Sequence, residues 1–403
     1  MRRLPTFPIV LSGFAAFVDL YATQPLLPLL ARTFHASSFA VSLTITAPTV
    51  AVALAAPGIG RLADTVGLRR VIVGSAFALA AATLLAATST SLEQLIFWRF
   101  VQGIVTPGVF AGTVAYIHEV WPAARSGRGT SAYMSGTVLG GFTGRAVAGL
   151  VAADTNWSTA FVALGALTLV VAIAVAIWLP AERDAASARH PSRDRAEAGG
   201  VSRAMALFRN HQLTATYAIG FCVLFTQVAM FTYVTFHLAA PPFALSTTAL
   251  GWLFAVYLVG AVATPLGGRW IDYYGHRTGL ASAMAIGAAG ALLTLSPWLP
   301  AIVVGLALGC TGVFIAQATT SSYIGAVTTR DRGLAIGLYS TFYYAGGSVG
   351  GAAPALVWAS GGWPACVALI VLVQAVGVAV ALTQWPKRSR AAIPATSAAL
   401  PLP

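Results

Sequence analysis

Apolar runs recur along almost the whole chain, and they constrain the fold more than any other feature, because a hydrocarbon core about 30 Å thick takes about 20 helical residues per crossing. Of the 403 residues, 58% are hydrophobic and 8% are charged, with a mean hydropathy of +0.80. One water-soluble core could not bury that much apolar surface. We therefore expect lipid to be the main solvent of the chain.

The runs predict an all-α integral membrane protein with twelve transmembrane helices. Helices are favoured over barrel strands because the runs lack a two-residue alternation, and every backbone polar group must be satisfied inside the span. The predicted spans are 7–30, 38–60, 70–88, 92–116, 130–152, 157–179, 213–238, 247–268, 278–295, 299–327, 333–359 and 363–382.

The position of the positive charges gives the predicted orientation. A net charge of +12 would suggest nucleic acid in a soluble protein. If the amino terminus is cytoplasmic, however, all 23 basic residues except Arg32, Arg99 and Arg145 fall in cytoplasmic segments. The basic balance therefore reflects topology, and it predicts a multi-pass inner-membrane protein with both termini in the cytoplasm and no nucleic-acid partner.

The sequence has no pattern that predicts a metal, cofactor or catalytic site. Cys222, Cys310 and Cys366 lie in apolar spans without metal-ligand spacing, so they are interpreted as small hydrophobic residues. No nucleophile elbow and no phosphate-binding loop is present. We expect neither an enzyme nor an ATP-driven pump.

Two halves are indicated by a polar linker and an internal repeat. Hydrophobicity falls between the sixth and seventh spans, which predicts an amino-terminal bundle at 1–180, a flexible linker at 181–212, a second bundle at 213–385 and a tail at 386–403. Four loop residues recur 208 positions later: Gly60, Asp64, Gly67 and Arg69 as Gly268, Asp272, Gly275 and Arg277. Repeated halves are how many transporters build a central site.

Several segments resemble a known family. The loop at 60–70, GRLADTVGLRR, resembles the signature loop of the major facilitator superfamily, and RFVQG at 99–103 resembles its fourth-helix motif. YATQPLLP at 21–28, GGFTGR at 140–145 and SYIG at 322–325 are most similar to the YnfM-type branch, among the drug and sugar efflux members. The resemblance covers the whole chain and implies a two-bundle transporter with alternating access.

Two departures from the family pattern bear on the direction of transport. Thr65 replaces the basic residue that usually follows the loop aspartate. The fifth-helix antiporter motif is degenerate, with Gly141 in place of proline and Arg145 in place of glycine. Export is the expected direction, and import on the same fold stays open.

Three charged residues inside predicted spans are the main candidates for coupling. Asp19 is the only acidic residue deep in a span, so it must be protonated, paired or in contact with water. Arg99 and Arg145 lie at a depth where they could meet Asp19 or an anionic substrate. A purely structural Asp19–arginine pair is the alternative.

Polar and adaptable side chains on several spans predict the wall of a substrate cavity. On the fourth span, residues at steps of three, four and seven share one face. An interhelical hydrogen bond is the alternative for each of these side chains. The cavity candidates are Thr23, Gln102, Thr106, Thr113, Gln227, Met230, Gln317, Tyr339 and Tyr343.

The repeated loops predict a gate on the cytoplasmic side. The resemblance implies that contacts of these loops close that side in the outward-facing state, with simple loop capping as the alternative. The gate candidates are Gly60, Asp64, Gly67, Arg69, Arg70, Glu119, Arg128, Asp272 and Arg277.

Together these features predict a proton-coupled exporter of a small organic molecule such as a sugar, metabolite or drug. A proton-coupled importer or a uniporter is the alternative, and a non-transporting sensor is a further one. The expected partners are the solute, protons and the bilayer, and the expected state is a monomer.

Overall fold

The structure, a computed structural model, describes residues 6–121, 123–180, 200–260, 262, 271, 273–328 and 331–386. The regular elements of this part of the chain are helices. Most of the predicted linker, the predicted tail and Asp272 lie outside the described residues.

Eight helices form the first half. They are α1 Phe7–Val18, α2 Leu27–Thr33, α3 Ser38–Ala55, α4 Ile59–Val66, α5 Leu68–Ala86, α6 Leu92–Val120, α7 Ala123–Asp154 and α8 Trp157–Trp178. Short 3-10 turns join α1 to α2 and α3 to α4, so that each pair makes one crossing. The first half therefore crosses the membrane six times.

The second half repeats this arrangement after a short helix, α9 Gly200–Phe208. Its helices are α10 His211–Ala239, α11 Thr247–Leu253, α12 His276–Leu293, α13 Leu299–Val327, α14 Arg332–Ala352 and α15 Pro354–Gln384. Gly362 has a φ of 58°, so α15 is two helices joined at a kink: the end of the eleventh crossing and the whole of the twelfth.

Length and composition support the membrane assignment. Within the described residues, eight helices are long and apolar enough to cross a bilayer. The other four crossings are the broken first span, the eighth, the ninth and α14, which are shorter or less apolar. The predicted fold class of two six-helix bundles is thus confirmed.

The end of the predicted linker differs from the expectation. Residues 200–208 form the helix α9, which an ion pair attaches to the second half: Arg203 lies 3.5 Å from Asp331 at the start of α14. The segment GVSRAMALF has apolar residues at helical spacing, a pattern that favours a helix over a flexible chain.

We name the two membrane faces after residues in their loops. On the Gly67 face, the loop before α5 meets the end of α8, where Arg69 Nε donates to Leu179 O at 2.7 Å. On the Arg32 face, Phe34 packs against Trp157 with ring centroids 5.4 Å apart.

Side-chain caps start four of the helices that enter from the Arg32 face. In α3, α6, α8 and α11, the amide of the third helical residue donates to the side chain of Ser37, Ser91, Asn156 and Ser246 respectively. Such caps satisfy amide groups that have no partner inside the helix.

The repeated loop glycines have a backbone reason. Gly67 and Gly275 end helical segments with φ of 91° and 85°, a region that favours residues without a Cβ. Their amides donate to Ala63 O and Ile271 O, both at 2.8 Å. The internal repeat is therefore present in the geometry as well as in the sequence.

Within each half, glycines let two helices approach closely. A Cβ at Gly140 or Gly144 of α7 would lie 2.3 or 1.7 Å from carbonyl oxygens of α1. In the second half, a Cβ at Gly346 of α14 would lie 2.1 Å from Phe221 O of α10. Small residues at such spacing are typical of close contacts between membrane helices.

Contacts between the halves close the Arg32 side. Thr46 of α3 donates to Ser348 O of α14 at 3.2 Å, and a Cβ at Gly251 of α11 would lie 2.9 Å from Arg145 O of α7. Between them, Gln24 Nε2 donates to Thr232 Oγ1 at 3.2 Å. This bond joins the first span to the seventh, so it connects the two halves directly.

Candidate functional site

The first span is broken near its middle. Helix α1 ends at Val18, residues 19–23 form turns, and a 3-10 turn begins at Gln24. A helix that ends inside the membrane leaves carbonyl oxygens without an intrahelical partner. The break therefore needs hydrogen-bond donors from neighbouring helices.

Arg99 of α6 supplies those donors. Its Nη1 donates to Asp19 O and its Nε to Thr44 O, both at 2.9 Å, while Nη2 donates to Leu20 O. Nη1 also donates to the side chain of Gln102, and the whole side chain has 0% exposure. Nη1 and Nη2 thus hold the broken first span, and Nε joins Arg99 to α3.

The carboxyl group of Asp19 points to other partners. Its Oδ2 accepts from Thr168 Oγ1 of α8 at 2.8 Å, while Oδ1 is buried without a hydrogen-bond partner. Among the described residues, neither Arg99 nor Arg145 forms a salt bridge with it. Asp19 is 1% exposed and lies inside the first bundle.

Arg145 of α7 occupies a different place, between the two halves. Its Nε donates to Gln24 Oε1 at 2.8 Å and its Nη1 to Gly141 O at 2.5 Å. Its guanidinium carbon lies 5.1 Å from the ring centroid of Tyr21, 4.7 Å from that of Phe254 and 4.8 Å from that of Tyr257. Rings from both halves therefore surround one guanidinium, within the range of cation–π attraction.

A tyrosine cluster continues from Arg145 into the second half. The hydroxyl group of Tyr343 is close enough to those of Tyr21, Tyr257, Tyr339 and Tyr344 to interact with them electrostatically. The Tyr339 hydroxyl lies 2.8 Å from Thr320 Oγ1, whereas the Tyr21 hydroxyl is buried without a hydrogen-bond partner. The centre of the molecule is thus rich in hydroxyl groups and aromatic faces.

The predicted coupling and cavity residues divide into two groups. Tyr339, Tyr343 and Gln227, a polar neighbour of Tyr257, join Arg145 at the centre. Gln102 lies inside the first bundle, where its amide donates to Thr83 Oγ1 at 2.9 Å.

The remaining cavity candidates have local or packing contacts. Thr106 and Thr113 donate to carbonyls of their own helix at 2.7 and 2.6 Å. Met230 packs against Gly309, Gln317 is half-buried, and Thr23 is buried with an unpartnered hydroxyl.

Among the predicted gate residues, Arg69 and Arg277 bind carbonyls within their own halves. Arg69 donates to Leu179 O and also to Ala176 O at 2.6 Å, and Arg277 donates to Trp385 O at 3.4 Å. Both contacts lie at the carboxyl end of the last helix of a half. Gly60 lies in α4, while Asp64, Arg70, Glu119 and Arg128 are exposed.

An apolar cavity of about 420 Å³ lies elsewhere, between α10, α14 and α15 and next to α9. Its lining residues are Phe208, Thr214, Tyr217, Ala218, Phe221, Cys222, Phe342, Val373 and Val376. Neither Arg145 nor Asp19 takes part in it, so this cavity is separate from the charged centre.

Two repeated six-helix bundles with a charged and aromatic centre define a polytopic membrane protein of the secondary-transporter class. The profile of the Major Facilitator Superfamily matches residues 9–242 and 238–402. The chain belongs to this superfamily, and it is a multi-pass membrane transporter of a small solute rather than an enzyme.

Known relatives agree with this membership. The chain is 31% identical over 369 residues to the uncharacterized MFS-type transporter YybF of Bacillus subtilis, covering 91% of this chain and 90% of the relative. It is 28% identical over 375 residues to the inner membrane transport protein YnfM of Escherichia coli, covering 93% and 89%. A mutant of the nucleoside transporter NupG shares the fold at a TM-score of 0.76 and 13% identity, covering 94% of this chain and 100% of that one.

Sequence reasoning missed several residues of the centre. Tyr257 and Phe254 follow a capped helix start and look like ordinary apolar-span residues, so nothing local singles them out. Thr168 lies in a span that looks like a lipid-facing support, yet it is 0% exposed and binds Asp19. Gln24 and Thr232 could have been found, because both are polar residues inside predicted apolar spans.

Proposed function

We propose that this transporter is a proton-coupled exporter of a small organic solute, and that Asp19 carries the proton. In this proposal both termini are cytoplasmic and the Arg32 face is periplasmic. The two bundles, at 1–180 and 213–385, rock about the centre so that Arg145 and the tyrosine cluster are exposed to one face at a time.

One observation carries the proposal: Asp19 is a deeply buried carboxyl group whose charge is not compensated by a salt bridge within the described residues. A carboxylate at membrane depth is costly and is typical of proton pathways. Because Arg99 binds the backbone oxygen of Asp19 and not its carboxyl group, Asp19 can gain or lose a proton without breaking an ion pair.

The route between Asp19 and the central site runs through the broken span. Asp19 and Tyr21 are two residues apart in the turns at 19–23, and Arg99 holds the carbonyls of Asp19 and Leu20. A change in the charge of Asp19 would therefore act on the same backbone segment that positions Tyr21 and Gln24 around Arg145.

The available energy is sufficient for concentrative export. One charge moving through roughly 150 mV releases about 3.5 kcal/mol, from a value near 2.3 kcal/mol per 100 mV. That energy supports a solute gradient of about a few hundred-fold, since each 1.4 kcal/mol corresponds to a factor of about ten.

A second candidate, proton-coupled import or uniport, is favoured by the fifth span. Gly141 and Arg145 replace the proline and glycine expected in an antiporter motif, and Arg145 contacts both halves. Import would use the same centre and the same proton carrier in the opposite direction.

The test is solute-dependent proton movement in liposomes that contain the purified protein and a pH-sensing dye. Sugars, organic acids and cationic drugs are screened with the wild type and with Asp19→Asn, which keeps a hydrogen-bond acceptor for Thr168. We expect a solute-driven proton flux that the variant loses. A flux that survives Asp19→Asn would exclude Asp19 as the carrier, and solute movement without proton flux would indicate a uniporter.

A further inference from the structure

We propose that the central site takes a small organic mono-anion whose carboxylate binds Arg145 and the Tyr21 hydroxyl, and whose apolar or aromatic body lies against the neighbouring rings. The inference rests on the proposed function only in treating the ligand as the transported solute. It names the chemical class of that solute, which the family membership leaves open.

The first support is the charge at the centre. Arg145 is 2% exposed, and no carboxylate within the described residues forms a salt bridge with it. Its electrostatic neighbours are Tyr257, Tyr21 and Cys310. A buried and unpaired positive charge is unfavourable, so a ligand with one negative charge would be stabilised there.

The second support is the set of free hydrogen-bonding groups. Within the described residues, Nε and Nη1 of Arg145 have acceptors, and Nη2 has none. In Arg99, by contrast, all three nitrogens donate to protein oxygens. Arg99 is therefore a structural residue, and Arg145 keeps N–H groups available for a ligand oxygen.

The third support is the Tyr21 hydroxyl. It is buried without a partner, and Arg145, Tyr257 and Tyr344 are its electrostatic neighbours. Unsatisfied polar groups are rare inside proteins and call for a specific explanation. A carboxylate that accepts from Arg145 Nη2 could accept from Tyr21 with its second oxygen.

The aromatic rings around Arg145 are the reason to expect an apolar or aromatic body in the ligand. Phe254 and Tyr257 lie within 4.8 Å of the guanidinium carbon, measured to their ring centroids. Aromatic faces that hold a guanidinium leave its N–H edge for an anion, and they offer apolar contact area to the rest of the molecule. An apolar or aromatic body is therefore favoured over a sugar.

Ligand binding is connected to the closed Arg32 side through Gln24. Its amide oxygen accepts from Arg145 Nε, and its amide nitrogen donates to Thr232 of the second half. An anion that repositions Arg145 would change the chain of bonds that joins the two halves. Arg145, which binds the ligand, is thus also bonded to Gln24, which joins the two halves on the Arg32 side.

The test is calorimetric titration of the full chain, purified in detergent, with three acid and amide pairs: acetate and acetamide, benzoate and benzamide, naphthoate and naphthamide. Benzylammonium is the cationic control. We expect the aromatic carboxylates to bind about tenfold or more tightly than their amides, because the amide lacks the charge that Arg145 pairs with. Equal affinity for acids and amides, or preferred binding of benzylammonium, would overturn the inference.

Variants separate a binding role of Arg145 from a structural one. Arg145→Gln should remove the preference for carboxylates, Arg145→Lys should keep part of it, and Tyr21→Phe should weaken carboxylate binding several-fold while keeping the ring. Arg32→Gln, an equivalent change at the Arg32 face, should have no effect. A preference that persists in Arg145→Gln would overturn the inference. If that variant does not fold, Tyr21→Phe decides: several-fold weaker carboxylate binding supports the inference, and unchanged carboxylate binding overturns it.

Failure of this inference is distinct from failure of proton coupling. Arg145-dependent carboxylate binding without solute-driven proton flux would contradict the coupling and leave the ligand class in place. Proton flux driven by a neutral or cationic solute that survives Arg145→Gln would contradict the ligand class and leave the coupling in place.

Discussion

The two halves share one scaffold but differ in their buried charges. Helices α6 and α13 each have 29 residues, and both start and end 207 positions apart. That offset relates Arg99 to Leu306 and Asp19 to Thr226. Within the described residues, every buried aspartate or arginine lies in the first half.

The two halves thus share their packing and loop geometry, whereas the buried charged groups of the described residues lie in the first half. Positive-φ glycines and carbonyl-capping arginines occur in both halves, at Gly67 and Gly275 and at Arg69 and Arg277. Variants that copy one half into the other test this division.

The largest effect is expected for Arg99→Leu, which copies Leu306 into the first half. It leaves the carbonyls of Leu20 and Thr44 without the arginine donor, at about 1 to 3 kcal/mol each. The carbonyl of Asp19 keeps a backbone amide donor from its own turn at 3.2 Å. We expect a loss of at least about 3 kcal/mol of unfolding free energy, measured by thermal or denaturant unfolding in detergent. Unchanged stability would mean that Arg99 does not hold the broken span.

A smaller loss is expected for Gly144→Ala. The new Cβ would lie 1.7 Å from Val18 O, so α7 and α1 must separate, at a cost of about 2 kcal/mol. Gly74→Ala is the control, because a Cβ there meets nothing within 4 Å and should stabilise α5 by up to about 1 kcal/mol. Equal effects of the two variants would argue against close packing at Gly144.

The capping arginines should differ between the halves. Arg69 donates two hydrogen bonds of 2.7 and 2.6 Å, whereas Arg277 donates one of 3.4 Å. We expect Arg69→Gln to cost about 1 to 2 kcal/mol and Arg277→Gln less than about 0.5 kcal/mol, since a hydrogen bond as long as that of Arg277 contributes little. Comparing the unfolding midpoints of the two variants checks this order, and the reverse order would contradict it.

A small stability effect is also expected at the bond between Gln24 and Thr232, which joins the halves. Thr232→Val removes the acceptor of Gln24 with little change in volume and should cost about 1 kcal/mol or less. Its effect should appear in conformation, as faster labelling of a cysteine introduced on the Arg32 side. Thr235→Val is the control, because it loses only a bond to Thr232 O in its own helix. Equal labelling of the two variants would speak against a role of the Gln24–Thr232 bond in closing the Arg32 side.

Much of the fold could be predicted from the sequence, because hydrophobic length and the repeated loop depend on local residues. The site was harder to predict. Asp19, Arg99 and Arg145 stood out as charges in apolar spans, but their partners depend on the break in the first span and on helix rotation. A sequence cannot show that Arg99 faces backbone oxygens while Arg145 faces Tyr257 across the two halves.

The central claim, that Asp19 couples solute movement to protons, is tested most directly by comparing two kinds of transport in liposomes that contain Asp19→Asn. We expect solute exchange with equal concentrations on both sides to continue near the wild-type rate, while pH-driven accumulation is lost. Asp154→Asn, the same change at an exposed position at the end of α7, should keep both. Accumulation that persists in Asp19→Asn, or exchange lost together with accumulation in a folded variant, would contradict the account.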